Sequence, residues 1–374
     1  MAEKINVGVV GYGFAGRGFH SYLIRKAEGL NLYAVASRDE GRRQQAVKDY
    51  GVKTFATLEE MLDDKAVQLV VIATPHSTHE ALCIQAMNAG RHVVVDKIMC
   101  MTVAEADRMI AAAKRNKVFF SVFHNRRWDG DFLTIRRVID EGLLGRVFQI
   151  ESCVGSYGSP RRGWRGVKEL AGGHLYDWGA HMVDHGLLFA GGLGKAKVES
   201  VYATSEFRKW DITVESHVRC QVKFKDTGGY TGGLRFMIEV SRLCRIPKPR
   251  WVVLGEEGTL VKEGLEPQER SMLAGKIEAA KEDPQNYARV KTTLNGNVFA
   301  PSAGRTAGLW RKNTVEAQMT IETQPGNWKA FYQNVADVLL KGAKPAVRPE
   351  EAREVVRVVT AGMRAIETGK AVGL

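Results

Sequence analysis

The first third of the chain alternates short apolar runs with amphipathic stretches. The apolar runs have the length and β-branched content of buried strands; they are INVGVV (5–10), NLYAVA (31–36), LVVIA (69–73), HVVV (92–95) and VFFSVF (118–123). Helical spacing falls near residues 16–28, 40–49, 78–89 and 103–116. This repeated strand-then-helix order predicts a doubly wound parallel sheet whose strands all end at one ligand-binding edge.

The pattern changes after Phe123. A helical stretch over 131–145 leads into longer alternating segments near 146–155, 196–206, 213–225, 230–240, 250–255 and 259–261. A final helix is predicted from Pro349 to Thr368, while residues 263–325 show little periodicity and are predicted to form loops or an insertion. We therefore expect an α/β protein with a first domain over 1–124 and a second, α+β domain over 125–374, the latter built on a large open, mostly antiparallel sheet.

Composition narrows the class of protein. Of 374 residues, 44% are hydrophobic and 26% are charged, as in ordinary globular proteins, and no signal-like or membrane-spanning apolar run occurs. Lys and Arg exceed Asp and Glu by 54 to 42, but the basic residues are scattered rather than gathered in a stripe. The five cysteines have no CxxC or metal-ligand spacing. We expect a cytoplasmic protein without disulfides, nucleic-acid partner or membrane contact.

A glycine-rich motif, Gly11-Tyr12-Gly13-Phe14-Ala15-Gly16, directly follows the first strand and opens a helix. In a dinucleotide fingerprint the first glycine permits a tight turn, the second lets the backbone approach the pyrophosphate, and the third lets the helix pack on the strand. The motif alone is weak evidence, because any tight strand-to-helix turn needs similar residues, but its place in the alternating pattern strengthens it. We predict that Gly11, Gly13, Phe14, Ala15 and Gly16 bind a dinucleotide at the helix N-terminus.

The turn after the second strand bears on which dinucleotide is bound. An acidic residue there would hydrogen-bond the ribose 2′-hydroxyl of NAD, whereas arginines accommodate the 2′-phosphate of NADP. Ser37 and Arg38 occupy this turn, and Arg42 and Arg43 follow one helical turn later. We therefore predict NADP as the preferred cofactor, with Ser37, Arg38 and Arg42 as contacts. Asp39 could still reach a ribose, which leaves NAD open.

Asp177 and His181 are four residues apart in a helical stretch and share one face, which His185 extends by another turn. A carboxylate there can orient an imidazole that takes a proton from an alcohol. Lys97, beside Asp96 at the end of the fifth strand, should emerge at the ligand edge and stabilise a developing alkoxide. The same residue types bind zinc, but no further ligand cluster stands nearby, so we expect no metal. Lys97, Asp177 and His181 are the predicted catalytic residues.

Motifs along nearly the whole chain resemble those of the Gfo/Idh/MocA oxidoreductases. They are GYGFAG (11–16), ATPHSTH (73–79), AGRHVVVDK (89–97), GGHLYDWGAH (172–181) and AVRPEEA (346–352). Their order and spacing are more specific than any single motif. The resemblance implies a Rossmann domain over 1–124, a substrate-binding and oligomerisation domain over 125–374, and a homodimer or homotetramer. The run HNRRWDGDF (124–132) is most similar to that of NADP-dependent scyllo-inositol dehydrogenases.

The resemblance also implies roles for individual residues. Lys97 would touch both cofactor and substrate, Asp177 would position the substrate, and His181 would be its acid and base. Further cofactor contacts are implied for Thr74, Pro75, His79, Asp96, Asn125, Trp164 and Arg165. The implied substrate contacts are Lys97, Asn125, Asp177 and His181.

Two residues depart from the Glu-Lys-Pro motif of this family. Asp96 stands where a glutamate is expected near the nicotinamide ribose, and Ile98 stands where a proline would fix the turn. Without that proline, a cis peptide bond is not expected here. We expect the fold and the lysine chemistry to be kept, and the placement of the nicotinamide and the range of substrates to differ.

These observations predict an NADP-preferring dehydrogenase or reductase that acts on a CH–OH group of a sugar, inositol or related polyol. Two alternatives share the fold: a non-catalytic sensor that binds NADP, and a glycosidase assisted by bound NAD. Retention of Lys97, Asp177 and His181 favours catalysis, because a binding protein has no chemical need for that set. Arg161, Arg162 and Arg165 could recognise an acidic substrate or cofactor phosphates, or could only solvate a loop.

Overall fold

The computed structural model describes residues 4–159, 163–208, 210, 212–229, 231–295, 310–311 and 314–374. Its first sheet has six strands: β1 (Ile5–Val10), β2 (Leu30–Ala36), β3 (Lys53–Phe55), β4 (Leu69–Ile72), β5 (His92–Val95) and β6 (Phe120–Val122). They lie in the order β3-β2-β1-β4-β5-β6, and every neighbouring pair is parallel. The predicted doubly wound parallel sheet is confirmed.

Helices connect these strands: a π-helical turn at Gly16–Ser21 continues into α1 (Tyr22–Lys26), and α2 (Glu40–Tyr50), α3 (Leu58–Asp63), α4 (His79–Asn88) and α5 (Val103–Asn116) follow. Because the strand order reverses between β1 and β4, right-handed connections place helices on both faces, and central strands are apolar throughout. All four residues of β4 are buried. Neither β3 nor α3 was predicted, although Thr57, whose hydroxyl accepts a hydrogen bond from Glu60 N, is a helix-start signal.

The second sheet has ten strands: β7 (Val147–Gly155), β8 (Val198–Glu206), β9 (His217–Phe224), β10 (Arg235–Ser241), β11 (Trp251–Gly255), β12 (Gly258–Lys262), β13 (Ala288–Asn295), β14 (Trp310–Arg311), β15 (Thr314–Ile321) and β16 (Val372–Gly373). Their order is β14-β15-β13-β12-β11-β7-β10-β9-β8-β16. Neighbouring strands are antiparallel except β7 and β10, which run parallel. The predicted open, mostly antiparallel sheet is therefore confirmed.

Residues 263–325 are not the loop region that their composition predicts. Within the described part of this segment, β13 and β15 pair from Ala288 opposite Ile321 to Asn295 opposite Thr314 and extend the sheet. Alternate residues such as Ala288 and Val290 are buried. The prediction of loops failed because one face of an antiparallel sheet is turned to solvent. Every second residue of such a strand is polar, which resembles the composition of a loop.

The remaining helices are α6 (Gly130–Asp140), α7 (Lys168–Ala171), α8 (His174–Phe189), α9 (Gln268–Leu273), α10 (Lys329–Lys341) and α11 (Pro349–Thr368), the last with the predicted bounds. Helix α8 packs on β10, and α11 packs on both α8 and α5, so the C-terminal helix joins the two halves. Ser121 Oγ donates a hydrogen bond to the Val347 carbonyl at 2.9 Å across the same boundary. In the described ranges no helix has the length and apolarity needed to cross a membrane.

Candidate active site

Two cavities meet at the carboxyl ends of the strands of the first sheet. The outer cavity, of about 880 Å³, is lined by the glycine motif and by the turns after β2 and β4. The inner cavity, of about 310 Å³, is lined by Lys97 and by residues of α8. Phe14, Ala15, Asp96 and Arg165 line both, so the two form one cleft. Ligands of open parallel sheets bind at this edge.

The glycine motif is shaped for close approach of the backbone. Gly11 has a φ of +93°, and a Cβ there would lie 2.4 Å from the Ala73 carbonyl oxygen. A Cβ at Gly16 would lie 1.8 Å from the Gly11 carbonyl oxygen, because the helix start packs directly on the turn. For Gly13 the nearest atom among the described residues would be Arg42 Nη1, at 3.8 Å. The open face at Gly13, beside the N–H groups of a helix start, fits the diphosphate of a dinucleotide.

Gly16→Ala and Gly13→Ala should therefore act differently. Gly16→Ala should lower the thermal unfolding midpoint of the apo protein by several degrees, because the methyl group forces the Gly11 carbonyl away. Gly13→Ala should leave that midpoint unchanged but weaken NADPH binding, since its methyl group occupies the open face. Calorimetry of the apo proteins and fluorescence titration with NADPH measure the two effects. Equal losses of stability in both variants would contradict this division of roles.

The turn after β2 presents two arginines to the outer cavity. Ser37, Arg38 and Arg42 line it, as predicted. Arg43 has another role, because its Nη1 donates to the carbonyl oxygens of Ser37 and Arg38 at 2.7 and 3.1 Å and holds the turn. The Asp39 carboxylate accepts a hydrogen bond from Arg42 N at 3.0 Å and caps α2. Asp39 also lines the outer cavity, so one of its carboxylate oxygens caps the helix while the side chain still borders the cofactor cleft.

Thr74 and Pro75 line the outer cavity, but His79 does not. His79 is fully buried behind them, with Nδ1 2.8 Å from the Ile98 carbonyl oxygen and Nε2 3.0 Å from the Thr74 carbonyl oxygen. The structure therefore gives His79 a supporting place, in which it ties the segment after β4 to the turn after β5.

Trp164 and Arg165 lie where the cavities meet. The Trp164 ring lines the outer cavity and stands edge-to-face with the His76 ring, with 4.8 Å between centroids. The Arg165 guanidinium lies 4.3 Å over the Trp164 ring. Arg161 and Arg162, which were considered with Arg165, lie outside the described residues.

Strand β5 delivers Asp96 and Lys97 to the cleft. The Asp96 carboxylate accepts a hydrogen bond from Lys97 N at 2.9 Å and lies 3.6 Å from His20 Nε2. His20 Nδ1 in turn lies 2.6 Å from the Tyr332 hydroxyl. Burial opposes ionisation of Asp96, but His20 and Lys97 hold its pKa below the usual range. An ionised carboxylate therefore faces both cavities, where it can accept a hydrogen bond from a ribose hydroxyl.

The peptide bond between Lys97 and Ile98 is cis. The expectation drawn from the missing proline is therefore wrong. That expectation rested on the local preference of the amide alone. Ile98 is fully buried, and its carbonyl oxygen contacts His79, so surrounding packing holds the turn in the absence of proline.

Lys97 reaches across the cleft to α8. Its Nζ donates to the Asp177 carboxylate and, at 2.9 Å, to the Asp177 main-chain carbonyl oxygen. Arg165 Nε lies 4.0 Å from the other carboxylate oxygen of Asp177. Burial would raise the pKa of Asp177, but Lys97 and then Arg165 hold it below the usual range. Asp177 is thus a carboxylate held between two cations where the cavities join.

Two glycines and a buried glutamate fix the start of α8. Gly172 and Gly173 have φ values of +78° and +114°, and a Cβ at Gly173 would lie 2.3 Å from Glu215 Oε2. Glu215 Oε1 accepts hydrogen bonds from His174 N at 2.6 Å and Leu175 N at 3.3 Å. This cap anchors the first turn and sets which face of α8 is turned to the cleft.

His181 and Asn125 line the inner cavity, as predicted. Among the described residues, His181 Nδ1 and Asn125 Nδ2 are buried without a hydrogen-bond partner. His181 Nδ1 is buried and Nε2 is not among the buried atoms without a partner, so Nε2 is the nitrogen open to a ligand. Burial, followed by the positive charges of Lys97 and Arg126, holds the pKa of His181 well below 6.5. The neutral imidazole can therefore accept a proton, as a general base must.

The row formed by Asp177 and His181 does not continue to His185. The His185 ring is buried in the core, stacked on Phe132 with 4.4 Å between centroids, and its Nε2 lies 2.8 Å from the Arg126 carbonyl oxygen. The cleft face of α8 continues in the other direction, through His174, which lines the inner cavity. The spacing of three residues between His174 and Asp177 is the signal that could have found it.

Arg126 and Trp178 also line the inner cavity and were not predicted. The Arg126 guanidinium lies 4.4 Å over the Trp178 ring and donates to Asp129 at 3.0 Å and Glu269 at 2.9 Å. Two carboxylates already use its N–H groups. Arg126 is therefore a fixed part of the cavity wall.

Asp129, Asp131 and Glu266 bring buried carboxylate oxygens within 4.8 Å of one another, a spacing that metal sites share. Donors of the protein already serve them: Trp328 Nε1 donates to Asp129 at 2.6 Å and Trp251 Nε1 to Asp131 at 2.7 Å. Burial raises the pKa of Glu266 to about 7. Glu266 Oε2 also accepts a hydrogen bond from the backbone N–H of Gly130, so the cluster secures the start of α6.

Comparison with known proteins gives matches over both halves of the chain. Residues 5–124 match the model of an oxidoreductase family with an NAD-binding Rossmann fold, and residues 132–261 match the Gfo/Idh/MocA C-terminal domain. The chain is 31% identical to the scyllo-inositol 2-dehydrogenase (NADP⁺) IolW of Bacillus subtilis, over 96% of this chain and 93% of that protein.

Solved structures show the same likeness. The putative oxidoreductase YvaA of Bacillus subtilis superposes with a TM-score of 0.86 at 25% identity, covering 100% of this chain and 99% of its own. An NAD-binding protein of Listeria innocua superposes with a TM-score of 0.78 at 30% identity, covering 99% and 97%. The likeness therefore extends through both sheets.

Proposed function

Because the chain belongs to the Gfo/Idh/MocA family of oxidoreductases, we propose that it is an NADP-preferring dehydrogenase of a sugar, inositol or related polyol. Its first part is the NAD-binding Rossmann domain of that family. A bound nicotinamide dinucleotide would supply the acceptor or donor of hydride. The protein's own side chains would hold the substrate, move its hydroxyl proton and stabilise charge on its oxygen.

The proposal is carried by the convergence of Lys97, Asp177 and His181 on the inner cavity, where Asp96 joins it to the outer one. Strand β5 and helix α8 bring Lys97 and Asp177 together across 80 residues of sequence. An ammonium, an ionised carboxylate and a neutral imidazole at one point form the set that proton and hydride transfer needs. This set favours catalysis over the sensor alternative.

In alcohol oxidation, His181 Nε2 accepts the hydroxyl proton while the carbon that bears this hydroxyl gives up hydride, for which a bound oxidised nicotinamide would be the acceptor. Lys97 Nζ stabilises the negative charge that develops on the substrate oxygen. Asp177 holds Lys97 in place and accepts a hydrogen bond from a neighbouring substrate hydroxyl. In the reverse direction, protonated His181 returns its proton to the carbonyl oxygen.

The preference for NADP rests on Arg38 and Arg42, whose guanidinium groups lie at the outer end of the cleft. A 2′-phosphate there would receive charge-assisted hydrogen bonds. Asp39, the residue type that would favour NAD, lines the same cavity, but its Oδ1 caps α2 and its Oδ2 lies 3.7 Å from Arg42 Nε. The Bacillus subtilis relative is named as an NADP⁺-dependent enzyme, which agrees with this preference.

The double substitution Arg38→Ala with Arg42→Ala should raise the KM for NADP about tenfold or more and change the KM for NAD little, because a 2′-phosphate loses its partners. Steady-state kinetics with both dinucleotides at saturating substrate measure this effect. Arg136→Ala, an exposed arginine of α6 that lines neither cavity, is the control. An equal loss with NADP and NAD would contradict recognition of the 2′-phosphate.

Nicotinamide absorbance, followed with NADP or NAD and a panel of inositols, other polyols and sugars, tests the proposed function. We expect reduced dinucleotide to form with at least one CH–OH substrate, and faster with NADP. Tight NADPH binding without turnover of any member of the panel would support a sensor instead. Cleavage of a glycoside with no net change in absorbance would support the dinucleotide-assisted glycosidase.

The small-molecule substrate, the homodimer or homotetramer and the cytoplasmic location stay predictions, as does the domain division at residue 124. Light scattering of the purified chain measures the assembly. An antiparallel sheet with one open face is a surface that symmetric assembly commonly covers.

A further inference from the structure

Helix α8 turns three polar residues toward the inner cavity: His174, Asp177 and His181. Their spacing of three and then four residues places them on one face. Asp177 and His181 have roles in the proposed reaction, whereas His174 has none so far. His174 is the first residue of the helix, so it lies at the opposite end of this face from His181.

The His174 side chain is buried yet lines the cavity. The residue is 6% exposed, and its Nε2 has no hydrogen-bond partner among the described residues. Burial lowers the pKa of His174 to about 4, so the ring is neutral at ordinary assay pH. A neutral imidazole carries one donor and one acceptor nitrogen, both suited to a hydroxyl group.

The position of His174 is fixed independently of any ligand. Its backbone N–H donates to Glu215 Oε1 at 2.6 Å, and the Gly172 and Gly173 turn precedes it. The ring is therefore presented to the cavity by an anchored helix start. A buried polar side chain without a hydrogen-bond partner is unfavourable, and a ligand hydroxyl that bonds the ring would lower that cost.

We propose that His174 is a specificity-determining residue whose imidazole hydrogen-bonds a substrate hydroxyl on the side of the ring away from the reacting carbon. This inference rests on the proposed function. At a rise of about 1.5 Å per residue, His174 lies roughly 4–5 Å along the axis from Asp177 and about 10 Å from His181. The hydroxyl that contacts His174 is therefore neither the reacting one nor the neighbour that Asp177 holds.

Substitution of His174 should separate substrate binding from chemistry. His174→Ala should raise the KM for the full polyol about tenfold with kcat little changed, because a hydroxyl far from the reacting carbon contributes equally to ground and transition states. His174→Gln, whose amide keeps a donor and an acceptor, should restore part of the loss. His92→Ala is the control, since His92 begins β5, at the end of the strand away from the cleft, and lines neither cavity.

The test is a cycle of enzyme variants against substrate analogues. The wild type, His174→Ala and His92→Ala are each assayed with the best polyol of the panel and with every monodeoxy analogue of it. For one analogue, the wild type should lose about tenfold in kcat/KM while His174→Ala loses nothing further, since the shared contact is already gone. If His174→Ala does not fold, as judged by its thermal midpoint, His174→Leu keeps the volume and serves in its place.

The outcomes separate the two proposals. The role of His174 would be overturned if His174→Ala lowered kcat/KM by the same factor for the full polyol and for every analogue, or lowered it for none of them. The dehydrogenase assignment would still stand in either case. A wild type that turns over no polyol would overturn the proposed function and this inference with it.

Discussion

Lys97→Met should lower kcat/KM for the polyol substrate by at least about a hundredfold, the usual cost of removing a donor that stabilises a developing oxyanion. The Lys97 side chain is 12% exposed, and its ammonium donates to both the carboxylate and the main-chain carbonyl of Asp177. Methionine keeps most of the length of the side chain but removes the charge. Asp177 would then lose its nearest cation, and its carboxylate would no longer be held in position by Lys97.

The loss at Lys97 should appear in kcat and not in cofactor binding. NADPH fluorescence titration of Lys97→Met should give an affinity close to that of the wild type, because Lys97 lines only the inner cavity and touches at most the nicotinamide end, while the glycine motif and the turn after β2 are untouched. Lys114→Met, at an exposed lysine of α5 that lines neither cavity, is the matched control and should keep full turnover. Normal turnover in Lys97→Met with a confirmed substrate would remove Lys97 from the mechanism.

His181→Ala should lower kcat by about a hundredfold to ten-thousandfold, the range that general acid–base catalysis contributes. In the proposed reaction the imidazole is the group that accepts the hydroxyl proton, and its Nε2 is the nitrogen that can face the substrate. Burial of the ring means that no solvent molecule replaces it easily. Single-turnover measurements separate the loss of chemistry from any change in product release, and unaltered single-turnover rates would contradict the assignment.

The pH profile gives His181 an independent signature. Burial and the charge of Lys97 place its pKa well below 6.5, so the base is neutral and oxidation is fully active above that value. Activity should fall only as the pH drops through this lowered pKa, which puts the acid limb of the profile below pH 6.5. Lys97→Met removes a positive charge, so the residual activity of that variant should show the limb at higher pH. A limb unmoved by Lys97→Met would mean that another group titrates.

Most of the residues that line the cleft can be predicted from the sequence, because the signals that place them are local. A parallel strand ends at the ligand edge wherever its apolar run stops, so Lys97 and the glycine motif are placed by pattern alone. Two residues four apart on a helix share a face, which suffices to group Asp177 with His181. A spacing of three or four residues cannot tell in which direction along the helix the cavity-facing residues continue. His174 and His185 both satisfy it, and packing of α8 on the core selects His174 for the cavity and His185 for the interior.

Contacts between distant segments are the part that pattern does not predict. His20, from the first helix, and Tyr332, from α10, are 312 residues apart and together support Asp96. The cis bond after Lys97 likewise depends on burial of Ile98 and on contact with His79, two features of the folded chain. In β13 and β15 the alternation was present, but polar residues on the open face masked it. The support of Asp96 and the cis bond share one cause, since each depends on which residues the fold brings together, whereas the miss at β13 and β15 is one of local composition.

Direct hydride transfer is best measured with a polyol substrate that carries deuterium at the carbinol carbon. After incubation with NADP and the wild-type protein, mass spectrometry of the reduced dinucleotide should show that it has gained the deuterium, and His181→Ala should slow this transfer by the factor seen in kcat. Reduced dinucleotide without deuterium, or no reduction with any polyol of the panel, would contradict a dehydrogenase built around Lys97, Asp177 and His181.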